Sequence, residues 1–267
     1  MHITGSRHLH IDEIRTGETM SLKDLVSSKG CVEDDRVIIY GPSGAGKTTM
    51  ACTFPSPILL RVEDGARGVD VPTWPQVFTS LNGVIGAVTD LIKEEHDFKT
   101  LIIDSLDWLE PLVWDFTASE GGKASIEDWG YQKGYKVYAI KVWDRVLQTL
   151  DVLRKKKGMR VVLVGHAQRV SVKNPDTDSY LQYDLKLEGA AREKLREWAD
   201  EVYFLHAKID GIRKEQQVAR AKGIGARELI LSDETICQAK TRRGLDRVID
   251  IGPDPSFAAY HQVLREE

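Results

Sequence analysis

The sequence predicts an α/β fold: a mostly parallel sheet with helices on both faces, followed by a C-terminal β-hairpin region. Two observations carry this. Aliphatic runs of strand length recur at 37–40, 58–62, 101–103, 161–164 and 202–205. Between them lie longer stretches whose apolar residues repeat with a helical period. Strands that alternate with helices build parallel sheets covered on both sides.

The elements follow in order. Residues 1–35 are polar and mixed, a lead-in whose His2, His8 and His10 read as solvated side chains. Strand 37–40 ends in a Gly-rich turn, and helix 47–54 stops near Pro55. Helices are predicted at 81–95 and 106–116. The stretch 117–134, with Gly121, Gly122, Gly130 and Gly134, reads as a long loop. Ala139, Trp143, Val146, Leu150 and Leu153 form one helix face. That helix ends in Arg154-Lys155-Lys156-Lys157-Gly158, where cations suit the negative helix end and glycine the cap, so this basic run needs no DNA. Residues 168–183 read as a polar loop, and Leu187, Ala191, Leu195 and Trp198 as another helix face. Beyond Ala207 comes a basic linker (211–227), then strand-like runs at 228–231, 235–239 and 247–251. The expected organisation is a lead-in (1–35), one core (36–251) and a tail (252–267).

Composition narrows the function. The 267 residues, 42% hydrophobic and 29% charged, suit one large globular domain and exclude disorder as the main state. The apolar runs are too short for a membrane span, and the start has no signal-peptide core. Cys31, Cys52 and Cys237 are too few and scattered for a disulfide framework or a zinc site, so a reducing cytoplasm is expected. A net charge of −4 excludes a basic nucleic-acid glove; any such contact must come from a local patch.

Gly41-Pro42-Ser43-Gly44-Ala45-Gly46-Lys47-Thr48 matches G-x-x-x-x-G-K-[ST] at every position and sits between a strand and a helix. The glycines let successive N–H groups turn toward phosphate oxygens, and the helix that follows directs its positive end at the same anion. Lys47 reaches the β- and γ-phosphates, Thr48 ligates Mg²⁺, and Thr49 completes the ATP-binding set. The run Leu101-Ile102-Ile103-Asp104 is what a Walker B strand needs, with Asp104 on the metal side and Asp107 as the substitute.

Ser105 stands where AAA+ proteins usually carry a catalytic Glu, and no Asn-Lys-x-Asp guanine-reading motif is present. Both observations turn the reading away from AAA+ and GTPase sites. In Leu59-Leu60-Arg61-Val62-Glu63-Asp64-Gly65 the chain resembles the RecA-like family, whose catalytic Glu lies just past the strand after the P-loop helix. The resemblance implies that this strand lies beside the Walker B strand and that Glu63 is the general base, with Asp64 its rival. It implies a polar sensor at the end of the fourth strand, where His166 falls at the most similar offset and Gln168 two residues on. It implies further that Lys240 and Arg242, in Ala239-Lys240-Thr241-Arg242-Arg243-Gly244-Leu245, reach a neighbouring subunit's γ-phosphate.

The combined pattern is similar to phage-type RecA-like ATP-binding proteins, including Sak-type single-strand annealing proteins. Asp128-Trp129-Gly130-Tyr131-Gln132-Lys133-Gly134-Tyr135 and Gly189-Ala190-Ala191 look most like the phage members. The resemblance implies an ATPase that needs ATP and Mg²⁺. It implies self-assembly into a ring or filament on single-stranded DNA, with a phage or host single-strand-binding protein as a further partner, in the host cytoplasm if phage-encoded. DNA contacts would come from Lys123, Trp129, Tyr131, Lys133 and Tyr135, and from Arg169 and Lys173 with Tyr180, Tyr183 and Lys186. The basic linker (Arg213, Lys214, Arg220, Lys222, Arg227) would add charge. The alternatives are a nucleotide-gated interaction module with little hydrolysis, and a P-loop kinase, for which no Arg-rich lid is evident.

Overall fold

A computed structural model describes residues 36–65, 68–173, 178–215, 218–232, 236–242 and 248–260, with the backbone alone over 209–224. The lead-in with its three histidines and Cys31, and also Arg243, lie outside the described residues, as do the side chains of Arg213, Lys214, Arg220 and Lys222.

The described elements are β1 (Arg36–Gly41), α1 (Lys47–Cys52), β2 (Pro57–Arg61), α2 (Leu81–Lys93), β3 (Thr100–Asp104) and α3 (Leu106–Glu120). A 3-10 turn (Ile126–Trp129) and a π turn (Gly134–Tyr138) lead into α4 (Ala139–Lys157), β4 (Arg160–Val172), β5 (Tyr180–Leu185) and α5 (Gly189–Trp198). The chain closes with β6 (Glu201–Glu215), β7 (Val218–Ile230) and β8 (Val248–Gly252). The sheet order is β2-β3-β4-β1-β6-β7-β8, with β5 paired to β4 alone. From β2 to β6 the strands run parallel. β7, β8 and β5 join antiparallel.

This is the expected α/β architecture, and β2 lies beside β3, as the sequence resemblance implies. Its parallel strands are aliphatic throughout because both faces are covered. On one face α2 to α5 bury a core around Trp143, Leu109 and Leu150. On the other, α1 meets Phe54, Tyr203 and Tyr260. The Tyr203 and Tyr260 hydroxyls lie 2.6 Å apart, and Phe257 N donates to Thr53 Oγ1 at 2.6 Å. Pro255, Phe257 and Tyr260 of the expected tail therefore pack on this face, with Pro253, Asp254 and Ala258 exposed. Gly158 ends α4 at φ 61, its N–H on Arg154 O, as the cap pattern predicts.

Three stretches differ from the sequence reading. The loop at 117–134 is largely ordered turns: α3 runs on to Glu120, and Ser125 and Asp128 form a capping box before the 3-10 turn. The polar loop at 168–183 is mostly a hairpin in which β4 continues to Val172 and pairs with β5. Arg169 and Ser171 alternate with half-buried Val170 and Val172, so the strand has one wet face and no aliphatic run. The basic linker is the arm of a second hairpin, β6–β7. The run at 235–239 contributes one isolated bridge in its described part, at Cys237, and Lys240 just past it makes another. Among the described residues, no helix is long and apolar enough to cross a membrane.

Candidate active site

The candidate groups gather where the parallel strands end. In register, Gly41 faces His166 across β1/β4, and Asp104 faces Val164 across β3/β4. Ligands of open α/β sheets bind at this carboxyl edge. The loop after β1 turns through Gly44 (φ 75) and Gly46 (φ 94), left-handed conformations that suit glycine. Gly41 is needed for space, since a Cβ there would collide with the Leu205 carbonyl. Helix α1 spans only Lys47–Cys52, so anion binding falls on the loop N–H groups and Lys47.

Lys47 is buried, and its ammonium donates to Pro42 O at 2.9 Å. Burial depresses its pKa, opposed by the nearby Asp104, Asp107 and Glu63. Thr48 Oγ1 donates to Asp104 Oδ2 at 2.7 Å. Burial pushes the Asp104 carboxyl up, the Thr48 bond pulls it down, and Glu63 adds to the rise. Extra positive charge would favour ionised Asp104, and a hydroxyl beside a carboxylate is the hard oxygen set that Mg²⁺ takes alongside waters and phosphate. Thr48 and Asp104 therefore fit the ion.

Glu63 follows β2, held close by Val62 N donating to Asp104 O at 2.8 Å. It shares a cavity of about 400 Å³ with Ser43, Lys47, Thr48, Asp104 and His166; Asp64 is not on its wall. Asp107, the substitute metal residue, is engaged elsewhere: it accepts from His166 N at 3.1 Å and Nδ1 at 2.9 Å. Burial raises the Asp107 carboxyl, but the His166 bonds prevail and hold it below the usual range. Gln168 is turned away, its amide donating to Leu185 O and Leu187 O at 2.9 and 3.2 Å. The structure thus brings His166, and not Gln168, to the cavity.

Lys240 and Arg242 do not line this cavity in their own chain. The Lys240 ammonium caps the end of α5, donating to Ala199 O and Arg196 O at 2.7 and 2.9 Å. Burial, and then Arg242, depress its pKa. Arg242 is exposed and pairs with Asp200 at 3.2 Å; Asp200 also takes a two-point bond from Arg36.

The aromatic residues assigned to DNA separate into two kinds. Trp129 stacks on Tyr138 at 4.8 Å, and Tyr135 sets its ring edge against Trp114 at 5.0 Å. Their rings are committed to packing. Tyr131 is 98% exposed at φ 45. Lys123, Lys133 and Lys173 are exposed, and Arg169 lies over the Tyr183 ring. Gln132 and Tyr135 meet Gln168 and Lys186 around a second cavity, of about 440 Å³, whose carboxylates are Asp107, Glu110 and Glu188. Sequence reasoning missed Arg227 as a site residue: it lines the P-loop cavity rather than extending a DNA patch.

Fold and site together define an α/β domain with a P-loop at the carboxyl edge of a mostly parallel sheet. The chain belongs to the AAA_24 family, described as an AAA domain, whose model matches residues 33–243. On sequence Ser105 turns the reading away from an AAA+ site, whereas the matching family is described as an AAA domain; the Glu on the cavity wall is Glu63. No curated protein matches the chain. Among solved structures, the RadB recombinase shares 14% identity over 82% of this chain and 87% of its own, with a TM-score of 0.48. A KaiC-like protein from Pyrococcus horikoshii OT3 shares 15% over 83% and 88%, at 0.43. A third structure, of an ATPase domain, shares 13% over 81% and 80%, at 0.46. At these scores none carries a role across.

Proposed function

We propose that this chain is an Mg²⁺-dependent ATPase that assembles with itself and acts on single-stranded DNA in phage recombination or strand annealing. The observation that carries the ATPase reading is the convergence of Lys47, the Thr48–Asp104 pair, Glu63 and His166 on one cavity beside the P-loop. In this reading the loop N–H groups and Lys47 hold the phosphates. Thr48 and Asp104 would hold Mg²⁺, which would supply neutralising charge at the phosphoryl oxygens. Glu63 accepts a proton from a water whose oxygen bonds to the γ-phosphorus, and the bridging oxygen leaves with ADP. His166, held by Asp107 through Nδ1, turns its other ring nitrogen toward the γ-phosphate as the polar sensor.

Self-assembly is supported by the position of Arg242. An exposed guanidinium outside its own cavity supports the reading that Arg242 serves another subunit's phosphates. The DNA reading rests on the sequence resemblance, with exposed Tyr131 and its flanking Lys133 as the stacking and charge pair. The test is ATP turnover across protein concentration, with and without single-stranded oligonucleotide. Specific activity should rise with concentration and with DNA. Turnover that responds to neither leaves an ATPase without the assembly and DNA readings. No turnover at all favours the nucleotide-gated module.

A further inference from the structure

We infer that Arg227 is a nucleotide-binding residue that holds the phosphates shared by ADP and ATP and fastens the segment 253–260 to the P-loop when they are bound. This rests on the nucleotide-binding reading above.

The geometry places at the site a cation that no described carboxylate pairs with. Arg227 Nε donates to Ala45 O in the P-loop at 2.7 Å. Its Nη1 donates to Gly225 O at 3.3 Å and closely to Pro253 O. All three partners are carbonyls. Among the described residues Arg227 forms no ion pair, and Nη2 forms no hydrogen bond. The next residue, Glu228, faces His206 and Lys208 instead, as strand alternation requires. A half-buried guanidinium keeps its charge and matches phosphate oxygens with its planar fork.

The placement also says which phosphates. Asp104 lies close enough to Lys47, Glu63 and His166 to feel their charges, and Arg227 makes none of its hydrogen bonds to that group. It leans instead on the loop backbone: a Cβ at Gly46 would meet Arg227 Nε at 3.2 Å and Pro255 Cγ at 2.8 Å. The loop backbone cradles the α- and β-phosphates, while the lysine extends to the γ end. Gly46 thus leaves room for Arg227 and Pro255 to close against the loop. Because the same guanidinium holds Ala45 and Pro253, a bound phosphate chain would order the strap that runs on to Phe257 and Tyr260.

The test uses the full chain, with ADP and a slowly hydrolysed ATP analogue as probes. Arg227→Gln keeps an amide able to bond Ala45 O or Pro253 O and removes the charge. Its affinity for both nucleotides should fall by the same factor, about tenfold, with Arg227→Lys intermediate. In the wild type, ADP should slow amide hydrogen exchange over 253–260. Equal ADP and analogue affinities in wild type and Arg227→Gln would reduce Arg227 to a structural clasp. A loss confined to the analogue would move the contact to the γ-phosphate and overturn the assignment. Should Arg227→Gln fail to fold, unchanged exchange over 253–260 on adding ADP to the wild type overturns the strap by itself. A wild type that binds neither probe sinks the nucleotide-binding reading instead.

Discussion

Asp107 grips His166 at two points, accepting from its backbone N–H at 3.1 Å and from its ring Nδ1 at 2.9 Å. Asp107 stands in the first turn of α3, and His166 sits just past the buried part of β4. The pair locks two elements together and makes Nδ1 the donor, so the other ring nitrogen is left for a ligand. His166→Ala should therefore cut turnover at least about tenfold with a small change in ATP affinity. Asp107→Asn, which loosens the ring without removing it, should give a smaller loss. Gln168→Ala should cost stability through its two lost backbone bonds, about 1–2 kcal/mol, and spare turnover. Turnover lost in Gln168→Ala and kept in His166→Ala would reverse the sensor assignment.

Lys47→Ala should weaken ATP binding at least about tenfold, by removing a charged phosphate contact. Glu63→Gln should bind ATP normally and turn over on the order of a hundredfold more slowly, because the base is lost and the shape kept. Isothermal titration beside a phosphate-release assay separates the two. Wild-type turnover by Glu63→Gln would pass the base role to Asp64.

These site residues were legible in the sequence because a phosphate cradle needs fixed residue types at fixed spacing, from Gly41 to Thr48. Asp104 was legible because an aliphatic strand ended in it. The same holds for the parallel strands, whose two buried faces leave uninterrupted aliphatic runs. Legibility failed where partners lie far apart in the chain. β4 beyond Gly165 looks polar because only one of its faces is covered, and its partner β5 arrives after an intervening turn. Arg227 read as one more cation in a basic stretch. Its place beside Ala45, 182 residues earlier, is set by the path of β6, β7 and β8 across the sheet. No local pattern records that path.

Lys240 and Arg242 should separate on mutation, although a motif links them. Lys240→Met leaves the carbonyls of Arg196 and Ala199 without their cation and should lower unfolding stability by about 1–3 kcal/mol. Arg242→Ala breaks one exposed pair with Asp200, which Arg36 still holds, and should cost well under about 1 kcal/mol. If Arg242 acts across an interface, the variant loses specific activity and keeps ATP affinity. Mixing it with Lys47→Ala should then restore part of the activity. No recovery in any mixture would sink the trans role.

For DNA, packing decides which aromatic residues are free to stack. Tyr131→Ala should weaken single-strand binding in the ATP-bound state by about 1–3 kcal/mol and leave its salt slope alone. Lys133→Ala should flatten that slope by removing one phosphate contact. Trp129→Ala should show itself chiefly as lost stability, because its ring fills the space beside Gly121 and stacks on Tyr138. Fluorescence anisotropy across a salt series, with thermal melts, reads all three. Unchanged DNA affinity in Tyr131→Ala would remove this segment from the interface.

Glu110 gives the chain a pH dependence of stability. Its carboxyl is 4% exposed on α3 and accepts from Glu188 N at 3.1 Å. Burial pushes it from 4.5 up to about 7, with the charges of Glu188 and Asp107 adding to the rise. In the unfolded chain the carboxyl ionises first, near the ordinary value. Between these two points the unfolded state binds fewer protons than the folded one, so stability falls as pH rises. The neutral carboxyl's contribution is fully present below pH 4.5 and lost as pH rises through about 7. From pH 5 to pH 8 the loss is about 2 kcal/mol. Glu110→Gln mimics the neutral acid at every pH and still offers Glu188 N an acceptor. Urea unfolding of both proteins at pH 5 and pH 8 should show the Gln variant gaining about 2 kcal/mol on the wild type over that interval. Parallel pH profiles would mean that Glu110 titrates in the folded protein as it does in water, and that the second cavity is wet enough to solvate its charge.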